Sequence, residues 1–137
     1  MFRWITALLR RPLRPALCPA HDLGQRGERQ AEKFLRKAGM KVLASNYRCD
    51  AGEIDIIALD QLKTLVFVEV KTRSSDASVL PESAVDTKKQ AHIRAVARTY
   101  LAAHPQARQF EIRYDIISIV WPDGESPQIR HLENAFR

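Results

Sequence analysis

Three acids and a lysine stand where the interior of a sheet is expected. Glu53 and Asp55 belong to Gly52-Glu53-Ile54-Asp55, and Glu69 and Lys71 to Val68-Glu69-Val70-Lys71-Thr72-Arg73. Carboxylates beside an ammonium suit a hard divalent cation. Mg²⁺ or Mn²⁺ binds carboxylate oxygens and keeps several waters, so one or two protein acids suffice. A neighbouring lysine can then orient a water or offset charge developing on a phosphate. The same residues also suit a structural ion pair, Lys71 with Glu69 or with Asp55, at a sheet edge. The strand patterns alone leave both readings open.

The elements carrying these residues are legible. Ile54 to Asp60 and Thr64 to Thr72 are rich in Val, Ile and Phe, as a half-buried pleated surface requires. Alternation puts Glu53 and Asp55 on one face of the first strand, and Glu69 and Lys71 on one face of the second. Val66, Val68 and Val70 form the other face, which reads as core. Whether Asp55 meets Glu69 depends on register. A three-residue loop, Gln61-Leu62-Lys63, sets Asp55 opposite Glu69 and Glu53 opposite Lys71. A two-residue loop would put the acids on opposite faces unless a bulge intervened.

Helices flank these strands. Asp22 and Gln25 have capping-box spacing, and Ala31, Phe34, Leu35 and Ala38 make an apolar stripe over a helix from Leu23 to Lys37. Gly39 stops it. Glu28 lies on the edge of that stripe, either as a solvated helix residue or as a fourth carboxylate. Lys41 to Tyr47 reads as a strand, and Ser74 to Pro81 as a loop leaving the Glu69–Lys71 strand. Ser83 is a plausible cap for a second helix reaching Ala103, with Val85, Ile93, Val96, Ala97 and Tyr100 as its stripe. Lys89 falls on the stripe, where it either snorkels or reaches acids or a phosphate. Lys88, Arg94 and Arg98 lie on flanking or outer faces.

Phe110 to Val120 is β-prone, and its alternation predicts that Glu111, Arg113 and Asp115 form a solvated face. A short last strand is expected near Gln128 to Leu132. The order is helix, three strands, helix, two strands. It predicts one α/β domain, residues 21–137, with a mixed five-stranded sheet flanked by helices. Residues 1–20 read as a separate basic arm.

The chain of 137 residues carries 22 Lys and Arg against 16 Asp and Glu, a net charge of +6. That balance favours an anionic partner, nucleic acid first. Cys18 and Cys49 match no metal-ligand spacing and read as free thiols in a reducing, cytoplasmic setting. The apolar run Trp4 to Leu9 is too short to span a bilayer and lacks the form of a secretory signal. A membrane partner is not expected.

A helix with Glu28, a strand with Asp55, then Glu69-Val70-Lys71 and another helix resembles the PD-(D/E)xK nuclease superfamily. This is the restriction-endonuclease-like fold, shared by archaeal Holliday junction resolvases. More closely, Gly24 to Phe136 is similar to the YraN family, an uncharacterised family of bacterial proteins. The carrying residues are Gly27-Glu28 with Ala31, Asn46-Tyr47-Arg48, Gly52 to Ile57, Val66 to Arg73, Lys89 with Tyr100-Leu101, and Asn134-Ala135-Phe136. The proline of the PD signature is absent, Ile54 preceding the aspartate.

The resemblance implies that Asp55 and Glu69 are metal ligands, with the Val70 carbonyl available as a third. Lys71 takes the water-activating or charge-stabilising position, and Glu28 matches the helix acid that some nucleases of the fold use. Glu53 is extra: a ligand to a second metal, or a partner of Lys71 or Arg73. Arg73 and Lys89 would hold the nucleic-acid backbone. The implied activity is Mg²⁺- or Mn²⁺-dependent hydrolysis of phosphodiester bonds in nucleic acid, DNA before RNA, with linear and branched substrates both open. A homodimer would suit a two-strand cut. The alternatives are a non-catalytic nucleic-acid-binding module on the same fold, or an interaction protein with purely structural ion pairs.

Overall fold

The β-prone runs do assemble into one sheet. A computed structural model describes residues 22–74 and 85–137. In chain order the elements are α1 (Asp22–Lys37), β1 (Lys41–Cys49), β2 (Gly52–Asp60), β3 (Thr64–Arg73), α2 (Thr87–Ala103), a 3₁₀ turn (Pro105–Gln109), β4 (Glu111–Val120) and β5 (Gln128–Phe136). The strands lie in the order β1-β2-β3-β4-β5. All neighbours are antiparallel except β3 and β4, which run parallel because α2 intervenes between them. This is the mixed sheet of a restriction-endonuclease-like core.

A helix packs on each face. Ala31 and Leu35 of α1 lie against Val42, Ile56, Ala58, Val66, Val68 and Ile117. Ile93, Val96, Ala97 and Tyr100 of α2 lie against Leu43, Ile54, Ile57, Leu65 and Phe67. With both faces covered, the central strand is buried from Leu65 to Val70. That accounts for its near-continuous apolar run. Glu69 is the exception within it, a charged residue only 5% exposed.

The β2–β3 turn has the expected three residues. Asp60 pairs with Thr64 and Ile56 with Val68, where the regular pairing ends, so Asp55 and Glu69 are the next residues on either strand. Gly27 lets α1 approach β3: a Cβ there would come within 1.8 Å of the Thr72 hydroxyl oxygen. Gly27→Ala is therefore expected to destabilise the protein by about 2 kcal/mol through overpacking. Thermal melts should show Thr72→Ala recovering part of the loss, since it removes the clashing hydroxyl.

Several expectations change. The helix expected to begin at Ser83 starts at Thr87, where the Asp86 carboxylate accepts the Lys89 backbone N–H at 2.8 Å. Ser83, most of the preceding loop, the basic arm and Cys18 lie outside the described residues. β5 runs four residues further than expected, to Phe136. The largest correction concerns Arg113 and Asp115. Only Glu111 of that face is exposed, whereas Asp115 is fully buried. His131 of β5 closes on Asp115 and is itself met edge-on by Phe34 of α1 at 5.9 Å. The buried charge persists because it is fully partnered. Asp115 accepts hydrogen bonds from Arg113, His131 and the Asn134 backbone N–H, and Arg113 also binds Asp60 at 3.0 Å.

Candidate functional site

Strand alternation fails at Asp55. Ile54 and Ile56 are two residues apart, yet Ile54 lies in the α2-side core and Ile56 in the α1-side core. The opposite strand breaks in the same place. Tyr47 packs edge-on against Tyr100 of α2, while Ser45 donates to Glu32 of α1. Between them, facing Asp55, Asn46 takes a left-handed φ of 51°, which asparagine tolerates better than most residues. This irregularity turns Asp55 toward the neighbouring strand. Its Oδ2 accepts the Val70 N–H at 2.7 Å.

That bond brings two carboxylates together at the end of the β2–β3 ladder. Glu69 stands on the α2 side with Lys71 and Lys89, whose Nζ atoms each lie 3.5 Å from its Oε1. The Lys89 reading that reached the acids is thus the one the geometry favours. Glu28, from α1, accepts a hydrogen bond from Asn46 Nδ2 at 2.9 Å and contributes negative potential at Asp55. Five of the seven sequence candidates therefore converge: Glu28, Asp55, Glu69, Lys71 and Lys89. Glu53 stays apart, in an exposed pair with Arg48 Nε at 3.0 Å. Arg73 ends β3 and holds the Trp121 backbone N–H through its carbonyl at 2.7 Å.

Burial first, and then the charge of Glu69, push the Asp55 carboxyl up to about 8; the Val70 N–H and Lys89 act in the opposite direction. A partly buried carboxyl crowded by other acids and held by a fixed amide is an oxygen-donor site whose charge calls for a cation. Among the described residues no group of three or more His, Cys, Asp or Glu side chains is close enough to hold a metal ion. Asp55 and Glu69 make a two-carboxylate set, which fits a Mg²⁺-like ion that retains most of its waters.

The raised pKa has a testable consequence. The folded chain keeps a proton on Asp55 that the unfolded chain releases near pH 4. Metal-free stability is therefore lost as pH rises from about 4 toward about 8. In chelator, Asp55→Asn is expected to melt progressively above wild type across that window, by several degrees at pH 8. Identical melting of both proteins from pH 5 to 8 would contradict the crowding of these acids.

A family model described as uncharacterised protein family UPF0102 matches residues 27–119, a span enclosing Glu28, Asp55, Glu69, Lys71 and Lys89. The chain belongs to this family. The YraN family, whose motifs the sequence resembles, is UPF0102. A UPF0102 protein of Geobacter metallireducens is 47% identical over 117 residues, covering 84% of this chain and 92% of its own. One from Chlorobium phaeobacteroides is 45% identical over 121 residues, covering 85% and 94%. One from Desulforamulus reducens is 37% identical over 114 residues, covering 82% and 93%. The shared designation specifies no activity. Among the described residues no helix is long and apolar enough to cross a membrane.

Sequence reasoning passed over Asn46 as a site residue, although it both supports Glu28 and sits at the break. The available signal was an asparagine inside a β-prone run, directly across from the aspartate. Ser45 and Glu32 were not singled out either, and their contact helps hold α1 against β1.

Proposed function

We propose that this UPF0102 protein is a divalent-metal-dependent nuclease that hydrolyses phosphodiester bonds in nucleic acid, DNA in preference to RNA and branched DNA in particular. The observation that carries this reading is the Asp55–Glu69 pair, built on a break in the sheet and flanked by Lys71 and Lys89. Asp55 and Glu69 would hold the cation. When bound, Mg²⁺ or Mn²⁺ supplies Lewis-acid polarisation of a phosphate oxygen and lowers the pKa of water.

The protein's own groups supply the rest. The Val70 N–H fixes the Asp55 carboxylate, so no side-chain reorganisation is needed when charge develops. Lys71, held on Glu69, orients the attacking water or offsets charge on the phosphate. Lys89 and Arg73 bind the backbone electrostatically, which positions the substrate without reading its sequence. Glu28, braced by Asn46, adds a carboxylate beside Asp55.

A second reading, a non-catalytic nucleic-acid-binding module, draws on the same geometry. Two ammonium groups already compensate Glu69, as in a structural ion-pair network. Cleavage of labelled single-stranded, duplex and four-way-junction DNA, and of RNA, with and without Mg²⁺ or Mn²⁺ separates the two. Metal-dependent products are expected, most abundantly from the junction. Binding without products in either metal would replace the nuclease reading with the second one.

A further inference from the structure

The sheet is not equally covered on its α2 side. α2 packs on β1 and β2, and beside it a groove of about 570 Å³ opens between the helix and the β4–β5 edge. Arg94, Arg98 and Arg137 line it, together with Ile112, Tyr114 and Phe136, and no Asp or Glu does. Tyr114 and Phe136 stack with their ring centroids 5.0 Å apart. Arg94 reaches across, its guanidinium carbon 5.9 Å from the Phe136 ring centroid and its Nη1 donating to a main-chain carboxyl oxygen of the last residue, Arg137, at 2.6 Å. Ile112 is 37% exposed, a large apolar side chain left open beside these cations.

Arg94 and Arg98 beside an aromatic floor leave a cationic surface, in which Arg94 is already held by the Arg137 main-chain oxygen. Like charges repel across a groove with low-dielectric walls, and the same arrangement concentrates an anion. Guanidinium groups match phosphate in both charge and geometry. We propose that this groove binds the phosphodiester backbone of a nucleic acid whose scissile phosphate lies at Asp55 and Glu69. The inference rests on the nucleic-acid reading above and adds a second contact to it.

The topology fixes the spacing. Glu69 pairs with Ile116 in β4, and Ile112 lies four residues earlier on the same strand. That is about 13 Å along the strand. The axial rise per nucleotide of one duplex strand is about 3.4 Å, so the groove contact falls about four nucleotides from the acids.

The test is fluorescence anisotropy of a labelled 20-base-pair duplex with the full chain in chelator, across a series of KCl concentrations. Arg94→Ala with Arg98→Ala is expected to weaken binding at least tenfold and to reduce the magnitude of the salt slope by about two. Lys33→Ala with Lys37→Ala, exposed on α1, removes equal charge and should change affinity less than twofold. Arg98→Lys should keep the slope. If the arginine double variant melts early, Arg98→Glu alone, at an exposed position, carries the same prediction of at least tenfold weakening. Arginine variants within twofold of wild type, or a lysine pair that weakens binding equally, would overturn the groove. A wild type that cuts DNA while the arginine variants bind normally overturns only the groove. A wild type that binds neither this duplex nor a labelled four-way junction overturns both readings.

Discussion

Asp55→Asn is expected to reduce metal-dependent cleavage by roughly a thousandfold, equivalent to about 4 kcal/mol of lost transition-state stabilisation. The protein should remain folded. Asparagine has the same shape, its Oδ1 still accepts the Val70 N–H, and it removes the charge that burial and Glu69 oppose. Glu69→Gln should lose a comparable factor, because it removes the other oxygen-donor carboxylate and the anchor shared by Lys71 and Lys89. Glu28→Gln should lose only about tenfold, the scale of a group that supports a ligand rather than being one. Single-turnover cleavage of the best substrate, with melts to verify folding, measures all three. An Asp55→Asn protein cutting at the wild-type rate would remove this residue from the chemistry.

The largest effect on stability is expected at Asp115, which takes no part in that site. Its carboxylate is fully buried and accepts Arg113 Nε at 2.9 Å, Arg113 Nη2 at 3.0 Å, His131 Nε2 at 2.7 Å and the Asn134 N–H at 2.9 Å. Asp115→Ala should cost about 3–5 kcal/mol, because it leaves Arg113 partly buried without its main counter-charge. For a domain of this size the melting temperature should fall by roughly 10–20 °C. Desolvation alone would raise the Asp115 carboxyl, but the hydrogen bonds from His131, Arg113 and Asn134 outweigh it and hold the group below the usual carboxylate range.

The sign follows from that depression. A carboxyl ionised more readily in the folded chain stabilises it above the unfolded pKa, near 4. That contribution disappears as pH falls through the lower, folded value. The gap in melting temperature between wild type and Asp115→Ala should therefore be widest near neutrality and narrow below pH 4. A gap independent of pH would mean that packing, rather than the charge network, accounts for the loss.

The two residues differ in how much of their role the linear sequence reveals. Apolar runs and a three-residue turn determined the register of β2 and β3, and with it the approach of Asp55 to Glu69. The i, i+2 spacing of Glu69 and Lys71 determined that they share a face, because strand alternation is a local property. The family motifs were likewise legible in Gly52 to Asp55 and Val66 to Arg73. Tertiary structure decided the rest. Whether the Arg113–Asp115 face met water depended on β5, whose His131 and Asn134 close on Asp115 together with Arg113, and periodicity shows which residues share a face without showing what covers it. The break at Asn46 and Asp55 depended on both strands leaving regular alternation together. Which outlying charges joined the acids was decided by helix docking: α1 and α2 bring Glu28 and Lys89 inward, while Glu53, next but one to Asp55 in sequence, pairs outward with Arg48.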